Sequence, residues 1–167
     1  MVLVGLISDT HDNQKAVEEA LKVFSKKNVK LILHAGDWIA PFTLMRLAKA
    51  KIPIVGVFGN NDGEKRFLRE VAMKNNVKLE EEIATIEYDG LRIALTHGTN
   101  NVILEALAKS GMFDVVVFGH THKRDLRNLN KTLLINPGEA CGYLTGEASV
   151  ATFDTKMKNV EFIFLNV

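Results

Sequence analysis

The sequence has little of what small secreted proteins are built from: one cysteine, Cys141, three prolines and one tryptophan among 167 residues. A lone cysteine excludes an intramolecular disulfide and favours a reducing, cytoplasmic location. No repeat, linker or low-complexity tract interrupts the chain. We therefore expect a single domain over residues 1–167, a length that can bury a sizeable core.

The sequence also lacks an excess of charge and a long apolar run. Its 21 basic and 20 acidic residues are interspersed, so we expect no stable nucleic-acid complex. The apolar runs Met1–Ile7, Val29–Leu33 and Val115–Phe118 are too short to span a bilayer, so no membrane partner is expected. The first run has no basic flank and soon meets Asp9, which predicts a buried strand instead of a signal peptide.

In the first half of the chain, strand-length apolar runs alternate with segments of helical period. The runs Val2–Ile7, Leu31–Leu33 and Ile54–Phe58 are predicted strands. Helices are predicted after Asp12 or Asn13, from Pro41, and over roughly 64–74. Strand, helix and strand repeated in this way predict right-handed crossovers and a mostly parallel sheet.

The second half has a different pattern. Ile83–Tyr88 and Leu91–Thr96 flank Asp89-Gly90, a dipeptide typical of tight hairpin turns. A helix over 102–109 and strands near 115–118, 125–129, 133–136, 148–154 and 160–165 are predicted to follow. We therefore predict an α/β fold, a four-layer α-β-β-α sandwich of two mixed sheets flanked by helices.

Five predicted strands are followed at once by side chains that can bind metal. These are Asp9 and His11, Asp37, Asn60, His97, and His120 with His122. Ligands bind at the carboxyl ends of strands in α/β sheets, so the five groups should converge on one crevice. In an extended chain, residues i and i+2 point to the same side, which would let the members of each Asp-x-His or His-x-His pair face the site together.

Each motif alone is weak. Asp9 or Asp37 could simply cap a helix, Asn60 could be a turn residue, and His97 could be a hydrogen-bonded core histidine. However, four of the five histidines follow buried runs, and helix caps do not require histidine. Their joint placement favours a metal site.

The same residues resemble a known family. The motifs are Asp9-Thr10-His11, Gly36-Asp37, Gly59-Asn60-Asn61-Asp62, Thr96-His97-Gly98 and Gly119-His120-Thr121-His122. In this order they resemble the signature blocks of calcineurin-like metallophosphoesterases, and Asn136-Pro137-Gly138 resembles an element of a small bacterial and archaeal phosphodiesterase branch. The resemblance implies one metal bound by Asp9, His11 and His122, another bound by Asn60, His97 and His120, and Asp37 bridging both.

The resemblance also implies the chemistry. Two divalent ions carry four positive charges and the two aspartates remove two, which leaves charge to bind a phosphate and a bridging hydroxide. Mixed nitrogen and oxygen ligands suit Mn²⁺, which we expect first, or Ni²⁺, Co²⁺, Fe²⁺ or Zn²⁺. The expected enzyme is a phosphodiesterase in which a hydroxide bridging the two metals attacks a small phosphodiester.

Two positions depart from the family pattern. Many relatives have histidine on the leaving-group side, where this chain has Asn61, which cannot serve as a general acid. Relatives often have serine where this chain has Glu139, whose role the sequence leaves open. Cys141 is interpreted as a packing residue, His34 as an interior histidine or one that orients a ligand, and Trp38 as either a stacking surface or a cover for the site.

Two alternative functions remain at this stage. One is a phosphomonoesterase using the same site, which Asn61 disfavours because a poor leaving group benefits most from an acid. The other is a protein-interaction scaffold without catalysis, since a subunit of the retromer coat shares this fold. The intact set of seven ligand candidates argues against the scaffold. A homo-oligomer is also compatible with the exposed hairpins and the C-terminal strand.

Overall fold

The computed structural model of the chain describes residues 2–167. The helices are α1 (Gln14–Lys26), α2 (Pro41–Ala48), α3 (Lys65–Lys74) and α4 (Asn101–Lys109). The strands are β1 (Leu3–Ile7), β2 (Leu31–His34), β3 (Ile54–Val57), β4 (Lys78–Glu80), β5 (Ile83–Tyr88), β6 (Leu91–Thr96), β7 (Val115–Val117), β8 (Arg124–Leu129), β9 (Thr132–Pro137), β10 (Ser149–Asp154) and β11 (Asn159–Phe164). None of the helices in this range is long and apolar enough to cross a membrane.

The strands form two mixed sheets. The six-stranded sheet has the order β11-β10-β1-β2-β3-β4. Strands β1 to β4 are parallel to one another, β10 pairs antiparallel with β1, and β11 pairs antiparallel with β10. The five-stranded sheet has the order β5-β6-β7-β9-β8, with β6, β7 and β9 parallel and antiparallel strands at both edges. The parallel strands of each sheet end at a common edge.

Alternating side chains on the strands separate the layers. On β2, Leu31 and Leu33 pack between the two sheets, whereas Ile32 packs against α1, α2 and α3. On β7, Val115 and Val117 face the same inter-sheet core, and Val116 packs near α4. Successive strand residues point to opposite faces, so strands buried on both sides produce the continuous apolar runs of the sequence. The predicted four-layer fold is confirmed.

Most predicted elements are confirmed with small changes at their ends. Asn13 caps α1 by accepting a hydrogen bond from the Ala16 backbone N–H at 3.2 Å, and Pro41 is the first residue of α2. His34 is the last residue of β2, one residue beyond the predicted end. The short edge strand β4 (Lys78–Glu80) was not predicted, because its alternation of charged and apolar residues gives no apolar run.

Candidate metal centre

The carboxyl ends of five strands, three from the six-stranded sheet and two from the five-stranded sheet, carry the predicted site residues. In the six-stranded sheet, Asp9 and His11 follow β1, Asp37 follows β2 and Asn60 follows β3. In the five-stranded sheet, His97 follows β6, and His120 and His122 follow β7. The structure brings all seven side chains to this edge, in two adjoining groups that share Asp37.

The first cluster consists of Asp9, His11, Asp37 and His122. One ligand atom from each of them lies within 4.8 Å of all the others. His11 Nε2 lies 3.4 Å from Asp37 Oδ2, and His122 Nε2 lies 3.4 Å from Asp9 Oδ1. Two carboxylate oxygens and two imidazole nitrogens therefore point at one small volume.

The second cluster adjoins the first through Asp37. His97 Nε2 lies 3.5 Å from Asp37 Oδ2 and 2.9 Å from Asn60 Oδ1. The ring of His120 lies with its centroid 5.2 Å from that of His97. The arrangement is compatible with the two ligand sets that the family resemblance implies, and the role of each residue as a ligand stays a prediction.

The polar atoms of both clusters fit bound cations. Among residues 2–167, Asp9 Oδ1 and His11 Nε2 are buried without a hydrogen-bond partner. In the second cluster, His97 Nδ1 lies 2.7 Å from the Ala35 carbonyl oxygen, to which it must donate. The Nε2 lone pair then faces the Asn60 side-chain amide, so the imidazole nitrogen and the amide oxygen are placed to bind one cation together. A buried unsatisfied group costs about 1–3 kcal/mol, which a bound metal ion would offset.

The electrostatics of the two buried aspartates also favour a cation. Asp9 and Asp37 are 0% and 1% exposed. Within residues 2–167 their ion-pair partners are histidines only, with no lysine or arginine. Burial raises the pKa of Asp9. Burial acts the same way on Asp37, but hydrogen bonds from His97 and Asn61 hold its pKa well below the usual range. Buried charges of this kind are normally paired or coordinate metals.

The pKa values of the two histidines in the second cluster are shifted in opposite directions. Burial alone would lower the pKa of His97, but the Asp37 carboxylate raises it above the ordinary value. Burial lowers the pKa of His120, and the neighbouring His97 lowers it further. The His97 ring, which is closer to Asp37, therefore retains a proton more readily. This preference for a positive charge is expected at a site that binds a cation.

The backbone at the site differs from the prediction. The extended geometry expected for the pairs Asp9 and His11, and His120 and His122, is wrong: all four residues have φ between 41° and 66°. Asp37 is also left-handed, with a φ of 60°. Such values are uncommon outside glycine and concentrate at functional sites. The side chains of each pair still reach the same edge, because the chain turns sharply at each residue.

Backbone hydrogen bonds stabilise these turns. The Asp9 N–H donates to the Gly36 carbonyl and the His11 N–H to the Asp37 carbonyl, each at 3.1 Å. These bonds join the loop after β1 to the loop after β2. The unusual conformation therefore depends on contacts between distant segments and not on local sequence.

Two glycines permit the close approach of neighbouring loops. A Cβ at Gly59 would lie 2.5 Å from the Asp37 backbone nitrogen and closer still to its carboxylate. A Cβ at Gly119 would lie 2.7 Å from Asp9 Oδ2 and would overlap Ser8. Cβ atoms essentially never make contacts this short, so the two buried aspartates can occupy their positions only beside glycine.

Asp62 organises the loop that carries Asn60, and sequence reasoning did not single it out. It is 4% exposed, and its Oδ2 accepts hydrogen bonds from the backbone N–H groups of Gly59 at 2.7 Å and Asp37 at 3.2 Å. Its Oδ1 accepts from the Ile39 N–H at 2.7 Å. One carboxylate thus joins the loops after β2 and β3. The signal available in the sequence was its place beside Asn60 and Asn61.

His34 and Trp38 are interior residues. Their rings stack with centroids 3.5 Å apart, and the indole N–H donates to the Val57 carbonyl at 2.8 Å. Burial lowers the pKa of His34 to about 3, so its ring is neutral. The Gly36 N–H donates to its Nδ1, which leaves Nε2–H to donate to Thr10. His34 thus orients the loop around Asp37, and the idea that Trp38 covers the rim of the site is wrong because the ring is fully buried.

Asn61, Glu139 and Cys141 also lie at the site. The Asn61 backbone and side-chain N–H groups donate to the two Asp37 oxygens at 2.9 and 2.8 Å, and a role on the leaving-group side stays a prediction. Cys141 Sγ lies within 4.8 Å of ring nitrogens of His11 and His122. Burial raises the pKa of this thiol to about 12, which fits the predicted packing role and not a nucleophile.

Comparisons with known proteins agree with this geometry. A family profile for the calcineurin-like phosphoesterase superfamily domain matches residues 2–158. The chain is 37% identical over 166 residues to a phosphodiesterase of Methanocaldococcus jannaschii, covering 97% of this chain and 98% of the relative. The solved structure of an archaeal phosphodiesterase has a TM-score of 0.93 at 36% identity, over 98% of this chain and 100% of that one.

A more distant similarity concerns the fold alone. The crystal structure of Vps29 from Entamoeba histolytica complexed with Zn²⁺ has a TM-score of 0.66 at 18% identity, over 99% of this chain and 100% of that one. The same architecture therefore occurs in proteins of very different sequence.

Proposed function

Because the chain belongs to the calcineurin-like phosphoesterase superfamily, whose members hydrolyse phosphoric esters, we propose that it is a phosphodiesterase with two divalent metal ions. The observation that carries this proposal is the sharing of Asp37. Its Oδ2 lies 3.4 Å from His11 Nε2 in one cluster and 3.5 Å from His97 Nε2 in the other. A carboxylate shared by two sets of oxygen and nitrogen donors suits a pair of ions.

The donor atoms divide between two positions. The first would use Asp9, His11 and His122, the second would use Asn60, His97 and His120, and Asp37 would contribute to both. When bound, two divalent ions supply a water-derived hydroxide near neutral pH as the nucleophile and offset the charge that develops on the phosphoryl oxygens. The family uses divalent metals, and we propose Mn²⁺ first, with Ni²⁺, Co²⁺, Fe²⁺ or Zn²⁺ as alternatives.

The chain's own residues orient these donors. The Ala35 carbonyl keeps the His97 proton on Nδ1, so Nε2 is free to bind. The His120 backbone N–H donates to Asp9 Oδ2 at 3.1 Å, which leaves Oδ1 facing the cluster. Both contacts fix the direction of a lone pair before any ligand arrives.

A cavity of about 280 Å³ adjoins Asn60 and His97 and supplies a place for the organic group of the diester. Its apolar surface includes Ile83 and Ile103. Its charged lining residues are Lys65, Glu81 and Glu82, which gives no positive excess. We propose that the cavity takes an uncharged alcohol group, because it offers apolar contact but little attraction for a second anion.

Filling this cavity should weaken substrate binding. Ile103→Trp places a large ring in it, and we expect KM for an aryl phosphodiester to rise about tenfold, the equivalent of about 1.4 kcal/mol. Val102→Trp is the matched control, since Val102 is 77% exposed and does not line the cavity. Steady-state kinetics with both variants provide the measurement. Equal KM values would show that the substrate lies elsewhere.

Metal restoration tests the proposed function directly. The purified protein is stripped of metal and then supplied separately with Mn²⁺, Ni²⁺, Mg²⁺ or Zn²⁺, and hydrolysis of a chromogenic phosphodiester and its monoester is followed in parallel. We expect metal-dependent cleavage of the diester with little cleavage of the monoester, because the cavity offers apolar contact for the second organic group and little attraction for a second negative charge. A preference for the monoester would identify a phosphatase instead. Inactivity on both, despite tight metal binding, would favour the scaffold.

We also propose that the protein is cytoplasmic and acts on a small diester. The single cysteine, buried as a thiol beside the site, suits a reducing cytoplasmic environment. A small diester suits the size of the cavity better than a polymer does.

A further inference from the structure

The buried Glu139 carboxylate is the most heavily hydrogen-bonded side chain near the site. It is 0% exposed and follows β9. Its Oε2 lies 2.6 Å from His122 Nδ1, and Cys141 Sγ donates to the same oxygen at 3.3 Å. Its Oε1 accepts from the Thr145 N–H at 2.5 Å and hydroxyl at 2.6 Å, and the Leu144 N–H lies about equally far from both oxygens, at 3.0 and 3.1 Å.

The hydrogen-bonding capacity explains why a glutamate is present. Five donors converge on this position, and a carboxylate is a side chain that accepts only, with about four lone-pair sites. The serine that the family resemblance leads one to expect here has a shorter reach and carries a proton of its own, so it could not accept all five.

The segment around Glu139 is also joined to the loop after β1. The Ala140 N–H donates to the Ser8 carbonyl at 2.9 Å and the Cys141 N–H to the Asp9 carbonyl at 3.1 Å. The carboxylate is therefore held in a fixed position relative to Asp9, the residue that His122 Nε2 faces at 3.4 Å.

We propose that Glu139 is a positioning residue that keeps the His122 proton on Nδ1, so that the Nε2 lone pair faces the metal centre, and that it joins this ring to the turn over 143–145. The metal part of this inference rests on the proposed function, but the proton position does not. Residues that orient ligating histidines through the second ring nitrogen typically change metal affinity about 10–100-fold when replaced.

Glu139→Gln tests this proposal because an amide accepts hydrogen bonds on one atom and donates them from the other. If the amide oxygen faces Thr145, the NH₂ group faces His122 Nδ1, which must then become an acceptor with its proton moved to Nε2. If the oxygen faces His122, the NH₂ group meets the Leu144 and Thr145 N–H donors and the turn is released. The substitution therefore either changes the tautomer of His122 or releases the turn over 143–145.

Long-range ¹H–¹⁵N correlation spectra of the metal-stripped, ¹⁵N-labelled protein report the proton position in each ring. The His122 signals are assigned by their loss in His122→Ala. The spectra are recorded at a pH at which the His122 ring is neutral, and in the unmodified chain we then expect a protonated Nδ1 and an unprotonated Nε2. In Glu139→Gln we expect either the opposite tautomer or faster hydrogen exchange of the Leu144 and Thr145 amides, with Mn²⁺ affinity about 10–100-fold weaker by calorimetry.

Glu147→Gln is the matched control, because this exposed glutamate of the same loop pairs with Arg124 and does not contact His122. It should change neither the spectra nor the affinity. A protonated Nε2 in the unmodified protein would overturn the proposal even if Glu139→Gln failed to fold, as would a Glu139→Gln variant with unchanged spectra, exchange and affinity. If His122 is protonated on Nδ1 but the protein is inactive on every phosphate ester, the proposed function is contradicted and this inference still holds.

Discussion

Asp37→Ala should abolish metal binding and reduce kcat/KM for the diester by about a thousandfold or more. Asp37 is the only candidate ligand shared by both clusters within the described residues 2–167, with Oδ2 at 3.4 Å from His11 Nε2 and 3.5 Å from His97 Nε2. Loss of about 4 kcal/mol of charge stabilisation corresponds to roughly that factor. Titration calorimetry with Mn²⁺ and diester hydrolysis measure the two effects.

Asp37→Ala also removes the acceptor of two hydrogen bonds from Asn61. Circular dichroism must therefore show that the variant is folded before its metal binding and activity are compared with those of the unmodified protein. Asp114→Ala is a suitable control, since Asp114 immediately precedes β7, at the end of the strand opposite to the site, and accepts a hydrogen bond from Arg92. A variant at position 37 with the activity of the control would contradict the two-metal mechanism.

Gly59→Ala should have the second-largest effect, although it adds only a methyl group. The new Cβ would lie 2.5 Å from the Asp37 backbone nitrogen and would overlap its carboxylate. Overpacking of this kind costs about 1–3 kcal/mol of folding stability. Displacing a catalytic group by about 1 Å can cost about 100-fold in rate. We therefore expect a lower melting temperature and a loss of kcat of about that size.

The neighbouring Gly63 provides an internal control for this substitution. A Cβ there would meet nothing within 4 Å, so Gly63→Ala should leave both the melting temperature and kcat near their original values. Calorimetric melting and steady-state kinetics on the two variants, measured together, separate a local clash from a general effect of adding alanine to this loop. Two variants with the same properties would show that the loop adjusts without moving Asp37.

The order of elements and the identity of the candidate site residues could be predicted from the sequence for one physical reason. Strands buried on both faces appear as continuous apolar runs, and the residues that follow them stand at the carboxyl ends of the sheet. His97 and the pair His120 and His122 were found in this way. The family resemblance is confirmed, and so is the fold.

The backbone geometry of the site could not be predicted in the same way. The left-handed backbone conformation of Asp9, His11 and Asp37 is held by hydrogen bonds between loops, and no local sequence pattern encodes those partners. The role of Glu139 was also hidden, since its donors come from His122, 17 residues earlier, and from a turn whose shape depends on the fold. Contacts of this kind are visible only once the chain has folded.

The division of the site between two sheets has a thermodynamic consequence. Asp9, Asp37 and Asn60 belong to the six-stranded sheet, whereas His97 and His122 belong to the five-stranded one. An ion coordinated by both sheets binds the folded chain only, and at a hundred times its Kd it adds about 2.7 kcal/mol to the free energy of unfolding. Metal supply would then act as a non-covalent cross-link, and the resistance of this protein to heat would vary with the ions around it.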